Sequence, residues 1–275
     1  MPSGSFEIKN TVERVEAIKN RVQEIVGRGN ITRSESSELL GRMQYASCQI
    51  MGRTILPTIA VLARCASQYK PAWPLVSAAL NRAVNNLEMS NPRVIRKGTL
   101  NDKPLLIFTD GAWENGNASW GVFIHDCNDG ASTVAGGIVP QVIINFWKTV
   151  VGEQLICQIE LWPILLIRHK LTTLVSGRKI VWFIDNEPSK EGLIRGFSGS
   201  AASAALVQEF YDAEAKNPTS SWFSRVPSCS NPADMPSRNE TELCAKIFGA
   251  KIFEISCFTE QEIDSLISRT QQFLT

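Results

Sequence analysis

PLLIFTDGA, residues 104–112, sets the fold class of this chain. Its first six residues form a short apolar run, which is typical of a β-strand buried on both faces. The stretch SWGVFIH, residues 119–125, alternates in polarity as a strand does, and the turn signal NDG follows it at residues 128–130. We therefore predict three strands joined by hairpins over residues 104–139.

The residues that follow predict helices between two further strands. The predicted elements are an apolar helix at 157–175, a central strand at 179–184, helices at 187–197 and 200–216, and a strand at 220–226. The resulting order, β-β-β-α-β-α-α-β, predicts a mixed α/β sheet.

The first 90 residues have a different pattern and are predicted to be all-helical. The predicted helices cover residues 11–27, 33–52, 58–68 and 75–87, and the helix-breaking stretch YKPAWP lies at residues 69–74. Turn signals over 89–98 predict a linker. We expect a basic helical region at 1–97, an α/β domain at 98–240 and a helical extension at 241–275.

Composition excludes several classes of protein. The chain has 275 residues, of which 44% are hydrophobic and 20% charged, as in globular proteins. We expect no membrane span and no secretory signal, because no apolar run is long enough. The seven cysteines include no CxxC pair, and only two histidines are present. This usage argues against a zinc site or disulfide framework and favours reduced, buried thiols in an intracellular protein, in the cytoplasm or nucleus.

The net charge of +1 hides an asymmetry between the two parts of the chain. Residues 1–97 hold 14 Lys and Arg against 7 Asp and Glu, whereas residues 98–275 hold 14 against 20. A basic region of this kind suggests contact with a polyanion, and Arg33, Arg42 and Arg53 are our candidate nucleic-acid-binding residues. The alternative is a solvated basic surface.

Four acidic residues have conspicuous positions in the predicted pattern. Asp110 follows the first strand, Glu160 lies in the apolar helix, Asp185 ends the fourth strand and Asp234 follows the fifth. Each alone has a structural explanation, as a turn residue, a helix cap or a partner of a helix dipole. Together they predict a cation site, because open α/β sheets bind ligands where strands end and clustered carboxylates repel one another unless cations neutralise them. Mg²⁺ or Mn²⁺ is the expected ion.

The order of strands and carboxylates resembles the ribonuclease H family. FTDGA (108–112) is similar to its first-strand motif, IEL (159–161) to its helix motif, FIDNE (183–187) to its fourth-strand motif and RVPSCSNPAD (225–234) to its final motif. The resemblance covers about residues 104–240. It implies two Mg²⁺ or Mn²⁺ ions and hydrolysis of RNA in RNA–DNA hybrids.

The resemblance also implies roles for the acidic residues. Asp110 would bridge both ions, Glu160 and Asp185 would complete one site, and Asp234 would complete the other. All four are therefore our candidate catalytic and metal-binding residues. The protein would read the shape of the hybrid through phosphates and 2′-hydroxyls.

The basic region carries a second resemblance. GNIT (29–32) and SELLGRMQYASCQIMGR (37–53) are similar to the helical segment after the polymerase palm in some retroelement reverse transcriptases, with tyrosine-recombinase retrotransposons the nearest. A plain helical bundle is the alternative. The chain contains no Asp-Asp dipeptide, so the usual polymerase metal motif is absent. This implies part or relic of a retroelement polyprotein, associated with a polymerase module encoded elsewhere.

Two features depart from the family pattern. Pro163 lies three residues after Glu160, which predicts that the helix starts near Cys157 or Gln158 and that Glu160 is in its first turn. The loop before Asp234 lacks the histidine that many family members carry.

Three further points remain open from the sequence. Trp113 and Trp120 are candidates for the wall of the groove, although aromatic residues in strands are more often in the core. A nuclease or recombinase of the same fold that acts on DNA is one alternative function. A relic that binds nucleic acid without cleaving it is the other.

Overall fold

The computed structural model describes residues 4–67, 71–96 and 103–274. Tyr69 and Lys70 of the predicted helix break, and Lys97 and Gly98 of the predicted linker, lie outside the described residues. The proposed boundary between residues 97 and 98 lies outside them as well.

The N-terminal region forms four helices closed by a small sheet. The helices are α1 (Val12–Arg28), α2 (Arg33–Ser47), α3 (Leu56–Ala66) and α4 (Trp73–Met89), with a 3-10 turn at Met51–Arg53. Strands β1 (Ser5–Ile8) and β2 (Arg93–Arg96) pair antiparallel, so the first and last described segments of the region are joined. The all-helical prediction is therefore wrong, because strands of four residues are too short to show a periodicity.

Apolar side chains at helical spacing hold these helices together. Ile18, Val22 and Ile25 of α1 are buried in one cluster with residues of α2, α3 and α4. Helix α2 begins with the capping box of Thr32 and Glu35, in which each side chain accepts a hydrogen bond from the other residue's backbone N–H. This cluster is separate from the core of the α/β region.

Six strands form the second, larger sheet. They are β3 (Leu105–Glu114), β4 (Asn117–Asp126), β5 (Ser132–Ile138), β6 (Lys179–Ile184), β7 (Ser220–Arg225) and β8 (Lys251–Ile252). The order across the sheet is β7-β6-β3-β4-β5-β8. Strand β4 pairs antiparallel with both β3 and β5. The parallel pairs are β6 with β3, β7 with β6 and β8 with β5. The predicted mixed α/β fold is confirmed.

Eight helices follow or connect these strands in the described residues. They are α5 (Gln141–Val151), α6 (Ile156–Lys170), α7 (Thr172–Val175), α8 (Glu187–Arg195), α9 (Ala201–Lys216), α10 (Asp234–Ser237), α11 (Thr241–Phe248) and α12 (Glu260–Gln272). The sequence pattern does not predict helix α5, and the predicted helix at 157–175 is divided at Leu171 into α6 and α7.

The two faces of the large sheet are covered differently. On one face, Ile107, Trp120 and Trp182 are buried in a single core with α6 and α9. On the other face, α10 and α11 pack over β3, β4 and β5, where Phe123 and Val134 are buried with Cys244. The helices therefore sandwich only part of the sheet.

Two sequence predictions near the carboxylates need correction. Strand β3 does not end at Thr109 but continues to Glu114, because its pairing with β4 extends beyond the end of β6. Helix α6 begins at Ile156, so Glu160 is its fifth residue and lies just beyond the first turn. Pro163 is inside the helix, where its missing N–H leaves the helical hydrogen bond to Ile159 unmade.

The predicted helical extension also contributes a strand and core residues. Strand β8 pairs with β5 at the edge of the sheet. Phe258 and Ile263 are buried in the same core as Trp182. Residues after 240 therefore complete the α/β core.

Contacts join the N-terminal helices to the far end of α8. A Cβ at Gly196, which ends α8, would lie 2.9 Å from the carbonyl carbon of Leu56 in α3. The guanidinium of Arg64 lies 4.1 Å from the ring centroid of Phe197. Helix α8 has nine residues and is about 13 Å long, so it spans a short distance between the end of β6 and the helical region.

The sequence also predicts that the chain has no membrane-spanning helix and that its cysteines are buried thiols. None of the helices in the described ranges is both long and apolar enough to cross a membrane. All seven cysteines are free thiols. Cys244 is buried, but Cys48, Cys229 and Cys257 are exposed, so the expectation of buried thiols is wrong for these three.

A pair of tryptophans on neighbouring strands tests this description of the sheet. Trp182 on β6 is fully buried among helices, whereas Trp222 on β7 is 70% exposed. We expect Trp182→Ala to lower the free energy of unfolding by about 3–5 kcal/mol. Trp222→Ala should change it by no more than about 0.5 kcal/mol. Denaturant titrations of both variants measure this difference, and equal losses would contradict the assigned faces.

Candidate active site

The four predicted carboxylates line one cleft at the end of β6. The cleft has a volume of about 420 Å³. Its lining residues are Asp110, Gly111, Ala112, Trp113, Glu114, Ile156, Glu160, Asp185, Asn186, Glu187, Ser228, Asp234 and Arg238. Strand β3, helix α6, the end of β6 and helix α10 thus each contribute one of the four acidic groups.

Asp110 is the most central of the four. It is 6% exposed and lies within β3 beside the end of β6. The hydroxyl of Ser237 donates to Asp110 Oδ2 at 2.5 Å, and Asn231 Nδ2 donates to Oδ1 at 3.5 Å. Burial raises the pKa of Asp110 to about 6, with Asp234 and Asp185 adding to the shift and the Ser237 hydrogen bond opposing it.

Glu160 approaches Asp110 because helix α6 touches strand β3 at a glycine. A Cβ at Gly111 would lie 2.8 Å from the backbone nitrogen of Glu160 and from the carbonyl carbon of Ile159. Glu160 is 4% exposed, and its Oε2 atom is buried with no hydrogen-bond partner. Burial raises its pKa well above the usual value, and the charges of Asp110 and Asp185 raise it further. An unpaired buried carboxylate oxygen is costly unless a ligand meets it.

Asp185 directly follows β6, as predicted. The hydroxyl of Ser228 donates to its Oδ2 at 2.5 Å. The next residue, Asn186, caps α8 by accepting a hydrogen bond from the backbone N–H of Ser189 at 2.9 Å. Asn186, and not Asp185, therefore caps this helix, and the Asp185 carboxylate faces the cleft.

Asp234 begins the short helix α10, which lies directly on β4. A Cβ at Gly121 would lie 2.2 Å from the carbonyl oxygen of Ala233, so only glycine permits this approach. Arg238, one turn later, donates to both carboxylate oxygens of Asp234 at 3.1 Å. It also pairs with Glu114 at 3.3 Å across the cleft. The arginine thus offsets part of the negative charge.

The two tryptophans considered for the groove have different positions. Trp113 lines the cleft, and the ammonium of Lys148 lies 5.2 Å from its ring centroid. Trp120 is 1% exposed and is buried in the main core of the α/β region. The groove position considered for Trp120 is therefore wrong.

The three arginines predicted to bind nucleic acid lie in the helical region and do not line the cleft. Arg33 Nε donates to the carbonyl of Ala66 at the end of α3, and exposed Arg42 pairs with Glu38 at 2.8 Å. Arg53 is exposed at the end of the 3-10 turn. Their role in binding stays a prediction.

Sequence reasoning missed the polar residues that orient the carboxylates. Ser237, Ser228 and Arg238 each bond one of the four acidic groups. Ser237 and Arg238 follow Asp234 by three and four residues, a spacing that places them within one helical turn of it. This spacing could have predicted their proximity to Asp234. The contact of Ser228 with Asp185 depends on the tertiary fold and could not be predicted in this way.

The donor chemistry of the cleft fits divalent cations. In the part of the chain that the structure describes, no three His, Cys, Asp or Glu side chains could hold a metal ion as they stand. The unpaired Glu160 Oε2, however, lies in the same cleft as three further carboxylates. Carboxylate oxygens are the ligands that Mg²⁺ and Mn²⁺ prefer. The donor set of the cleft is therefore of the kind that binds these ions, although its side chains do not form a three-ligand site as they stand.

Comparison with known proteins gives matches among solved structures only. No family model matches the chain, and no curated protein matches it. The chain is similar to LC11-RNase H1, isolated from compost, with 15% identity and a TM-score of 0.33 over 51% of this chain and 96% of that one. It is also similar to the N-terminal RNase H domain of rv2228c from Mycobacterium tuberculosis, with 14% identity and a TM-score of 0.32 over 52% and 97% of the two chains. The mixed α/β sheet described above rests on the strand order and pairing register of this chain itself.

The raised pKa of Asp110 predicts how stability depends on pH without metal ions. Its pKa is about 6 in the folded chain against a usual value of 3.8, so the folded state retains this proton between those values. The free energy of unfolding should therefore fall as the pH rises from about 4 to 6, by up to about 3 kcal/mol from this group. Asp110→Asn should reduce that fall and be more stable than the parent at pH 7. Urea titrations in EDTA across this range measure both effects.

Asp126 provides a control of opposite sign. Its hydrogen bond from Arg178 lowers its pKa, so its stabilising contribution is present above the usual carboxyl pKa and is lost as the pH falls. Asp126→Asn should therefore be less stable than the parent at pH 7. If Asp110→Asn were also less stable than the parent at pH 7, the result would contradict the claim that burial and neighbouring carboxylates disfavour the charged form of Asp110.

Proposed function

We propose that this chain is a metal-dependent endonuclease that hydrolyses the RNA strand of RNA–DNA hybrids. The observation that carries the proposal is the convergence of four carboxylates on one cleft, where Glu160 Oε2 is buried without a partner. Isolated structural carboxylates have no reason to share a desolvated site. Carboxylates that hold cations do, because the ions remove their repulsion.

Each acidic residue has a proposed place in a two-ion site. Asp110 would contact both ions, Glu160 and Asp185 would complete one site, and Asp234 would complete the other. Bound ions supply a lowered pKa for an attacking water and stabilisation of the leaving oxygen. The chain's own contribution is orientation: Ser237 and Asn231 hold the Asp110 carboxylate, and Ser228 holds that of Asp185.

The walls of the cleft offer contacts for a nucleic acid backbone. Lys148 lies against Trp113 on one side, and Arg225 is exposed near Glu187 on the other. These groups suit phosphates and sugars, which position a hybrid without reading its sequence. The loop before Asp234 carries Ser228 and Cys229 and no histidine, so we assign proton transfer at the leaving oxygen to solvent.

The helical region is proposed as a second contact for the hybrid. Residues 1–97 carry a net charge of +7, and α8 connects this region to the cleft over about 13 Å. Arg33, Arg42 and Arg53 are the proposed backbone contacts. Their contribution should depend steeply on salt, because phosphate binding releases counterions.

The finer context that we propose is a retroelement. The motifs at 29–53 are similar to the segment after the palm of some reverse transcriptases, and they stand before the nuclease-like region as in such polyproteins. Because the Asp-Asp polymerase motif is absent, we propose association with a polymerase module encoded elsewhere. The free cysteines favour a reducing compartment, the cytoplasm or nucleus.

Two alternatives use the same residues differently. A same-fold nuclease or recombinase would cleave DNA with these carboxylates. A relic would bind nucleic acid and cleave none. The intact set of Asp110, Glu160, Asp185 and Asp234 favours an active enzyme over the relic.

Cleavage assays test the proposed activity. We expect the parent chain to cleave labelled RNA–DNA hybrid with Mg²⁺ or Mn²⁺, to be inactive with EDTA, and to prefer the hybrid over double-stranded RNA and double-stranded DNA. Asp110→Asn and Asp185→Asn should lose this activity, because each removes a charge from the cation site while keeping its shape. Gel analysis of cleaved products measures each rate.

Asp264→Asn is the matched control, since Asp264 is exposed on α12. It should retain the parental rate. Cleavage of double-stranded DNA alone would support the DNA nuclease. Binding without any metal-dependent cleavage would support the relic and overturn the proposal.

Charge reversal tests the helical region. We expect the full chain with Arg33→Glu, Arg42→Glu and Arg53→Glu to bind hybrid more weakly and with a shallower salt dependence. The slope of log affinity against log salt should fall by roughly 0.7–0.9 for each of these arginines that binds a phosphate in the parent. Binding measured between about 50 and 200 mM salt gives both slopes. Identical slopes for parent and variant would show that these arginines bind no phosphates.

A further inference from the structure

In the part of the chain that the structure describes, no helix packs on strands β6 and β7 on the sheet face that carries Asp110. Helices α10 and α11 cover β3, β4 and β5 on this face. On β6 and β7 the same face presents Val181 and Phe183, which are half-buried, and Trp222, which is 70% exposed. We call the surface of Val181, Phe183, Trp222 and Ser224 the Trp222 face. An exposed tryptophan beside half-buried apolar groups indicates a binding surface.

Ring geometry leaves aromatic faces available on this surface. Phe183 stacks on Phe108 with ring centroids 4.4 Å apart and planes 10° apart, which covers one face of the Phe183 ring. On its other side, Phe183 pairs with Ser224 of β7, a small side chain. Trp222 lies between Ser220 and Ser224 on the same face of the edge strand. The Trp222 ring is therefore largely exposed, whereas the Phe183 ring is covered on one face by Phe108 and has the small Ser224 beside it on β7.

The charges on this surface suit an anionic ligand. Lys179 is exposed and lies on the same face of β6 as Val181 and Phe183. On the same sheet face, Leu106 of β3 pairs with Val181 of β6 on one side and with His125 of β4 on the other. Beyond the end that holds Asp110, the described strand positions on this open half carry no carboxylate side chain. The exposed Lys179 therefore places a positive charge on this face, and the described strand positions around it bear no carboxylate.

The Trp222 face is continuous with the candidate active site. Asp185 directly follows β6 and is four residues beyond Val181, a distance of about 13 Å along the strand. Ser224, on the neighbouring strand, precedes the loop whose Ser228 contacts Asp185. A strand that leaves the cleft along β6 would pass over Phe183 and then Trp222.

We propose that the Trp222 face binds an unpaired nucleic acid strand, with bases stacked on Trp222 and Phe183 and phosphates beside Lys179. Sheets that present exposed rings bind single strands in this way, since every base has a π-face. The site differs from the hybrid-binding cleft and takes single-stranded RNA or DNA. The continuity with the cleft rests on the proposed function, whereas binding of a free single strand requires no hydrolysis.

Two substitutions of Trp222 separate stacking from general apolar contact. Trp222→Phe keeps an aromatic ring, and Trp222→Leu keeps apolar bulk without one. We expect Trp222→Leu to weaken binding of the full chain to a labelled single strand of about 12 nucleotides by about tenfold, and Trp222→Phe by about threefold or less. Fluorescence anisotropy in EDTA measures both RNA and DNA strands without cleavage.

The outcomes distinguish this proposal from the proposed function. Because Trp222 is exposed, both variants should unfold at the parental denaturant concentration. Loss of strand binding in Trp222→Leu supports the face even if the parent cleaves no hybrid, and that second result would overturn only the proposed function. Equal affinity of parent and Trp222→Leu, or no binding of single strands by the parent, overturns the proposal. Self-association that Trp222→Leu abolishes while strand binding is unchanged overturns it too and assigns the face to a second copy of the chain.

Discussion

Strand β3 and helix α6 touch backbone to backbone at Gly111, and the rest of the site depends on this contact. A methyl group there would lie 2.8 Å from the backbone of α6, closer than real side chains approach. Overpacking of this kind typically costs about 1–3 kcal/mol. The contact fixes Glu160 beside Asp110 and away from water. Gly121 on β4 likewise allows α10 to pack closely against the strand, which places Asp234 in the cleft.

This packing makes the cleft electrostatically expensive. Burial raises the pKa values of Asp110 and Glu160, and the neighbouring carboxylates raise them further. Serine hydroxyls and Arg238 offset only part of the cost, because Glu160 Oε2 has no partner. A fold selected for stability alone would not collect these charges, whereas a fold that binds cations requires them.

Strands β3 to β7 and the position of Asp185 at the end of β6 were predictable because each depends on local pattern. KIVWFI followed by Asp185 shows both the buried strand and its end. By contrast, β1, β2 and β8 have two to four residues each, too few for a periodicity. The hydrogen bonds of Asp110 with Ser237 and of Asp185 with Ser228 join residues 127 and 43 positions apart, so only the tertiary fold reveals them. The open Trp222 face likewise depends on where α10 and α11 pack.

Titration of the chain with Mg²⁺ or Mn²⁺ tests whether the four-carboxylate cleft binds cations, and it needs no substrate. Calorimetry gives the number of bound ions, and thermal unfolding gives the stabilisation that binding produces. We expect about two ions per chain and a rise in Tm for the parent, with both effects reduced in Glu160→Gln. Absence of binding, or equal binding by parent and Glu160→Gln, would contradict this expectation.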